Sequence, residues 1–236
     1  MKRVSFFVAI MLLILWGCNK QNANDYFESG LSKIKNKDYD GGARDITKAI
    51  ELNPNNAEYY FFRGMLRHDL NDYTEAISDF DKAIEIKPNY LDALYNRGNA
   101  KCFILDYSGS IADYTKAINL GYKTKEIYFN RGFVKLVLQD FRGAIPDFTT
   151  AIEFDSNYIL AYINRGNAKF NLQDYKAALL DFNKTVELDP MSADAYYKRG
   201  YSKILIDQRD SGCLDLSRAG ELGNTQAYEL IHKYCR

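Results

Sequence analysis

Arg-Gly recurs at Arg63-Gly64, Arg97-Gly98, Arg131-Gly132, Arg165-Gly166 and Arg199-Gly200, every step 34 residues long. Gly30 lies one step further upstream, behind Ser29. A fixed period of this length constrains the fold more than composition does. Each unit must meet its neighbours in the same way, so the structure grows by repetition instead of closing around one core. Counted from seven residues before each glycine, six units begin at Ala23, Ala57, Leu91, Lys125, Ile159 and Ala193. With only four prolines in 236 residues, long helices are free to form inside each unit.

The other positions of the unit keep the same register. Position 4 holds Tyr26, Tyr60, Leu94, Tyr128, Tyr162 and Tyr196, and position 17 holds Tyr39, Tyr73, Tyr107, Phe141, Tyr175 and then Arg209. Position 20 is small throughout: Gly42, Ala76, Ser110, Ala144, Ala178 and Gly212. Position 24 is Ile46, Phe80, Tyr114, Phe148, Phe182 and Leu216, and position 27 is alanine except for Thr185. Pro54, Pro88 and Pro190 fall at position 32.

This pattern resembles the tetratricopeptide repeat over about residues 23 to 224. The resemblance implies an all-α, right-handed superhelical solenoid of six 34-residue helix-turn-helix repeats, 23–56, 57–90, 91–124, 125–158, 159–192 and 193–224. Each repeat is expected to hold a helix A at about positions 1 to 14 and a helix B at about 17 to 31. Glycine at position 8 and the small residue at 20 let the two backbones approach. The aromatics at positions 4, 17 and 24 are expected to fill the gap between successive hairpins. Proline at 32 ends helix B, because the residue before proline avoids the helical region. Pro146, at position 22, lies near the first turn of a helix B, where a missing N–H costs least. Residues 225–236 carry Ala227, Leu230, Ile231 and Tyr234 at helical spacing and read as a capping helix.

The N-terminus reads as an address. Lys2 and Arg3 precede Val4 to Trp16, an apolar run shorter than the about 20 residues a membrane-spanning helix needs. The run ends in Leu15-Trp16-Gly17-Cys18, which resembles the lipobox of bacterial lipoproteins, although Trp16 is bulkier than that pattern prefers. The resemblance implies a signal peptide over residues 1–17, lipidation of Cys18, and a polar tether over 18–22. The chain is then expected in the cell envelope, lipid-anchored on the periplasmic or outer-membrane side, with a plain secreted form as the alternative.

Asp occupies position 23 in every unit (Asp45, Asp79, Asp113, Asp147, Asp181 and Asp215) and Arg occupies position 7 in five. Such regularity suits a structural ion pair, repeated at each hairpin, in which a guanidinium fork fixes geometry better than a lysine would.

The family resemblance implies a ligand groove lined by helix A, with positions 2, 5, 6, 9, 12 and 13 open to it. Here those positions supply the amides of Asn96, Asn99, Asn130, Asn164 and Asn167 and the rings of Tyr95, Phe129, Phe133, Tyr197 and Tyr201. Amides both donate and accept, so such a row can bond the main chain of an extended peptide, while rings supply apolar anchors. The same amides could instead link helix A to its neighbour. Cys213 and Cys235 lie at similar distances on either side of the expected turn at Gly223-Asn224, so an antiparallel hairpin brings them within disulfide reach, and export supplies the oxidising compartment. Cys102 is expected to be a buried small hydrophobe.

Catalysis finds no support: His68 and His232 are isolated, and neither a metal-ligand spacing nor a phosphate-binding or nucleophile motif occurs. No cofactor or metal is expected. Lys plus Arg equals Asp plus Glu, 31 against 31, which argues against nucleic acid as a partner. The expected function is a non-catalytic, membrane-tethered module that binds a protein or peptide. The alternatives are a self-associating scaffold and a small-molecule-binding solenoid.

Overall fold

The computed structural model describes residues 21–235; the expected signal segment and Cys18 lie outside these residues. Among the described residues there are thirteen helices and no strand. They fall into two compact units, one ending at Pro88 and one starting at Asn89. The first holds two hairpins, α1 (Ala23–Lys35) with α2 (Tyr39–Leu52) and α3 (Ala57–Asp69) with α4 (Tyr73–Ile86). The second holds four more: α5 (Leu91–Phe103) with α6 (Tyr107–Asn119), α7 (Lys125–Val137) with α8 (Phe141–Phe154), α9 (Ile159–Asn171) with α10 (Tyr175–Leu188), and α11 (Ala193–Leu205) with α12 (Arg209–Glu221). A final helix, α13 (Gln226–Tyr234), packs on α12. No helix among the described residues is long and apolar enough to cross a membrane.

Each turn from helix A to helix B uses one left-handed residue at position 15, with φ 66° at Lys37 and Asn71, 65° at Leu105 and 61° at Gln139. The next N–H then reaches back to the position-11 carbonyl, as in Asp106 N to Lys101 O at 2.9 Å, which satisfies a helix-end acceptor. The aspartate at position 16 starts helix B: the Asp38, Asp106, Asp140 and Asp174 side chains accept from the backbone N–H of position 19. In five of the six repeats helix B ends in one of two ways. Three repeats carry proline at position 32; in two of the others, Gly121 and Gly223 adopt φ 101°, which a side chain would strain. Pro146, the sixth residue of α8, is exposed and lies just past its first turn. The Arg142 carbonyl it leaves without a helical partner belongs to an exposed residue that water can reach.

The position-24 side chains fill the inside of their own hairpin, and two of them also reach the following element: Tyr114 through Asn99 to Asn130, and Leu216 in the cluster with Ala227. Phe80, Phe148 and Phe182 are fully buried, and a Cβ on Gly166 would lie 2.7 Å from the Phe182 ring. At position 17, Tyr39 is exposed, while Tyr73 and Tyr175 meet His68 and Phe170 edge-on across their own A–B turns. The position-4 tyrosines cover arginines, with the Arg199 guanidinium 5.0 Å from the Tyr196 ring and that of Arg165 5.5 Å from Tyr162. Between the first two hairpins the fill comes from Phe27, whose ring lies 4.8 Å from that of Tyr59.

The position-7 arginines perform two tasks at once. Arg131 Nη2 donates to Asp147 Oδ1 at 2.6 Å within its hairpin, and its Nη1 donates to Thr115 Oγ1 of the preceding hairpin at 3.1 Å. Arg165 repeats this with Asp181 (2.6 Å) and Thr149 (3.0 Å), and Arg63 does so with Asp79 (2.7 Å) and Thr47 (3.1 Å). The buried aspartate also accepts from a cation at position 11: Lys135 at 2.7 Å, Lys169 at 2.8 Å, Lys203 at 2.7 Å, and Arg67 at 2.6 Å. In the first repeat Ser29 stands where arginine would be, and Asp45 accepts from its Oγ and from Lys33, both at 2.6 Å.

Removing one member of a buried ion pair leaves an uncompensated charge. Asp147→Ala, which strands Arg131 and Lys135, should cost about 3 kcal/mol in denaturant unfolding. Lys184→Ala, which breaks the exposed pair to Glu187, should cost under about 1 kcal/mol by the same measurement.

Candidate functional site

The side chains expected to line a groove lie in the four-hairpin unit, on the A helices α5, α7, α9 and α11. The structure divides the five asparagines into three kinds. Asn99 and Asn130 belong to a network between hairpins. Tyr114 donates to Asn99 Oδ1 at 2.6 Å, and Asn130 Nδ2 donates to that same oxygen at 3.2 Å and to Tyr95 Oη at 3.1 Å. Burial pushes the Tyr114 phenol far above its ordinary range, so it keeps its proton and remains a donor. These two amides are therefore spent on joining α5, α6 and α7. Asn96 and Asn164 fold back onto their own helices, donating to Asp92 O and Leu160 O at 2.8 Å each. Their carbonyl oxygens make no hydrogen bond to the described residues, and both residues are half-buried.

Asn167 differs from Asn99, its counterpart two repeats earlier. Its Oδ1 is buried with no hydrogen-bond partner among the described residues. The reason is compositional. Where Asn99 has Tyr114 and Asn130 as donors, the equivalent positions around Asn167 are Phe182, which has no hydroxyl, and Lys198. The Lys198 ammonium instead lies over the Phe170 and Tyr197 rings, at 5.9 and 6.0 Å.

The rings gather around Phe129. Its centroid lies 5.1 Å from Tyr158, 5.7 Å from Phe148 and 6.3 Å from Phe133, the last pair stacked. Phe133 is 41% exposed. Tyr95 stacks on Tyr122 at 5.4 Å. Tyr201, further along, touches Phe170 at 5.5 Å and Tyr234 of α13 at 6.3 Å. Burial pushes the Tyr95, Tyr122 and Tyr158 phenols upward, and the charge of Glu126 adds to the shift in all three. Tyr122 and Tyr158 escaped the sequence reading because they stand in the loops before helices A, at positions 32 and 34. Glu126 occupies position 2, a groove position, so its place in the repeat could have singled it out.

At the C-terminal end, Cys213 of α12 and Cys235 just after α13 are joined, with Cα atoms 5.7 Å apart. They line a shallow recess with Arg209, Asp210 and Leu214. Arg209 replaces the usual aromatic of position 17, and the structure gives the reason: its Nε donates to the Tyr234 carbonyl at the end of α13. Beneath the cap, Leu216, Ala219 and Ala227 are buried together with Ile204, Leu230 and Ile231 around them. Cys102 is a free thiol, half-buried rather than buried, and burial raises its pKa. Among the described residues, no group of His, Cys, Asp and Glu could hold a metal ion.

A family model for the TPR repeat matches residues 64–101 and 166–203. A search of curated proteins finds no match. Among solved structures, the chain is similar to YrrB, described as a TPR protein with an unusual peptide-binding site, at 26% identity and a TM-score of 0.75, covering 81% of this chain and 99% of that one. It is similar to MamA at 24% identity and a TM-score of 0.68, covering 73% and 94%. A likeness in fold extends to the C-terminal part of a TPR repeat-containing protein from Cytophaga hutchinsonii, at 16% identity and a TM-score of 0.75, covering 95% and 94%.

The bridge closes a loop with a sequence separation of 22, so its loss should destabilise the capped end by about 3 kcal/mol on loop-entropy grounds. With Cys213→Ser and Cys235→Ser together, hydrogen exchange should quicken in α12 and α13 while α7 and α8 stay protected. Equal quickening throughout would assign the bridge a global role instead.

Proposed function

We propose, from the premise that this chain is a tetratricopeptide-repeat protein, that it is a non-catalytic interaction module, tethered to an envelope membrane by lipid on Cys18, that binds a peptide or protein segment along its A helices. The observation that carries this reading is Phe133. A phenylalanine 41% exposed, stacked on a ring cluster already anchored in the core, offers an apolar contact at little ordering cost. On α5 and α9, the A helices that touch α7, Asn96 and Asn164 hold amide oxygens that can accept from a ligand main chain. The peptide-binding site described for YrrB, a similar fold over most of this chain, supports the same class of ligand. The tether rests on the lipobox-like Leu15 to Cys18 after a short apolar run.

Self-association is a second reading, favoured by Leu180 on α10 and Leu214 on α12. Both occupy position 22 of consecutive B helices, 69% and 72% exposed. Under this reading the second copy meets the B-helix surface, and the oligomer weight should fall when both leucines become lysine.

Crosslinking and affinity capture of the intact protein from its native envelope tests the main reading. Wild type should retain specific proteins that Phe133→Asp loses, and Cys18→Ala should shift the protein from the membrane to the soluble fraction. Equal capture by wild type and Phe133→Asp would move recognition off this face. Membrane retention of Cys18→Ala would remove the lipid anchor from the account.

A further inference from the structure

Tyr122, Tyr158 and Glu126 take no part in the hydrogen-bond network that joins the hairpins, and Tyr95 enters it through its hydroxyl alone. Tyr95 lies on α5, Tyr122 in the loop before α7, and Tyr158 in the loop before α9. Tyr95 and Tyr122 stack at 5.4 Å, and Tyr158 meets Phe129 at 5.1 Å, so two ring pairs flank the start of α7. Glu126, the second residue of α7, is exposed; it follows Tyr122 by four residues, and its chain neighbour Lys125 lies over the Tyr158 ring. Its basic neighbour Lys125 is committed elsewhere: the ammonium pairs with Asp155 at 2.6 Å and lies 5.2 Å from the centre of the Tyr158 ring. Among the described residues Glu126 makes no ion pair of its own. The other groove acids of this unit, Asp92 and Asp194, are exposed and also without one. An acid at position 2 already suits the positive end of a helix, which accounts for its presence. It does not account for the tyrosines on both sides of this one, since position 2 of the next repeat is Leu160 and has no such surround.

A carboxylate beside aromatic faces is an environment that attracts an organic cation, through charge and through the ring quadrupole together. Lys125 shows that one of these rings already lies under an ammonium. We propose that Glu126, Tyr95 and Tyr122 form a subsite for one cationic side chain, lysine or arginine, of a peptide held along the A helices. This rests on the peptide-binding reading above and narrows its ligand to a basic, partly apolar segment: the cation at Glu126, an apolar side chain on Phe133 about two helical turns further along α7. The formal charge of the ligand is then opposite to that of the groove acids Asp92, Glu126 and Asp194. With one principal charge pair, salt should weaken binding only modestly.

The test uses the full-length protein in detergent and a positional-scanning library of short peptides with both termini blocked, so that no terminal charge contributes. Lysine and arginine should be enriched about 5-fold at one position, on the scale of an exposed cation–ring contact with a charge partner. Glu126→Gln should abolish that preference and leave the apolar preference set by Phe133 intact, while Tyr122→Leu should reduce it. Peptides selected with no basic preference, or with one that survives Glu126→Gln, overturn the subsite and leave the peptide-binding face standing. A preference untouched by Tyr122→Leu overturns the aromatic part of the subsite. A library from which wild type selects nothing overturns both the subsite and the peptide-binding reading.

Discussion

Arg131 shows the constraint on which the architecture depends. One planar guanidinium holds Asp147 within its hairpin and Thr115 of the hairpin before. A lysine could reach one of these acceptors but not hold both in fixed directions, because its ammonium is a point charge on a flexible stem. The 34-residue period is therefore more than a spacing of apolar residues. Each repeat carries a buried acid that must be compensated, and the group that compensates it also ties the repeat to its neighbour. Lysine or arginine at position 11 completes the charge, and the tyrosine of position 4 shields the guanidinium face.

A lattice of this kind frees the A helices from structural duty over much of one face. Position 24 fills the hairpin interior, positions 7, 11 and 23 hold the charges, and alanine at 27 lets helices approach. Side chains at positions 2, 5, 6 and 9 then vary without disturbing the stack, which is where a binding surface can change from repeat to repeat. The variation is visible. Position 9 is Asn99, Phe133, Asn167 and Tyr201 in turn, and only Asn99 is drawn fully into the network between hairpins.

Much of the fold was legible in the sequence because repetition multiplies a weak signal. A glycine at position 8 says little once and a great deal six times. The Arg–Asp pair was legible for the same reason. The second cation at position 11 was present just as regularly, in Lys33, Arg67, Lys101, Lys135, Lys169 and Lys203, yet basic residues on a helix surface look like solvated ones. The left-handed turn residue at position 15 left no signature, since Lys37, Asn71, Leu105, Gln139, Gln173 and Asp207 share no chemistry. The candidate site was harder still. Whether an asparagine faces a ligand or a neighbouring helix depends on residues in other repeats, such as the choice of tyrosine or phenylalanine at 114 and 182. Arg209 breaks the aromatic pattern of position 17, and only the structure shows it as the contact that seats α13.

The claim that one arginine couples successive hairpins can be measured directly by a double-mutant cycle in denaturant unfolding. Arg131→Lys and Thr115→Val would be made singly and together. If Arg131 joins its hairpin to the preceding one, the two substitutions should be non-additive by about 1 kcal/mol, the scale expected for residues in one hydrogen-bonded network. Strict additivity would contradict the account, leaving Arg131 a partner of Asp147 alone and the stacking of hairpins to apolar contact.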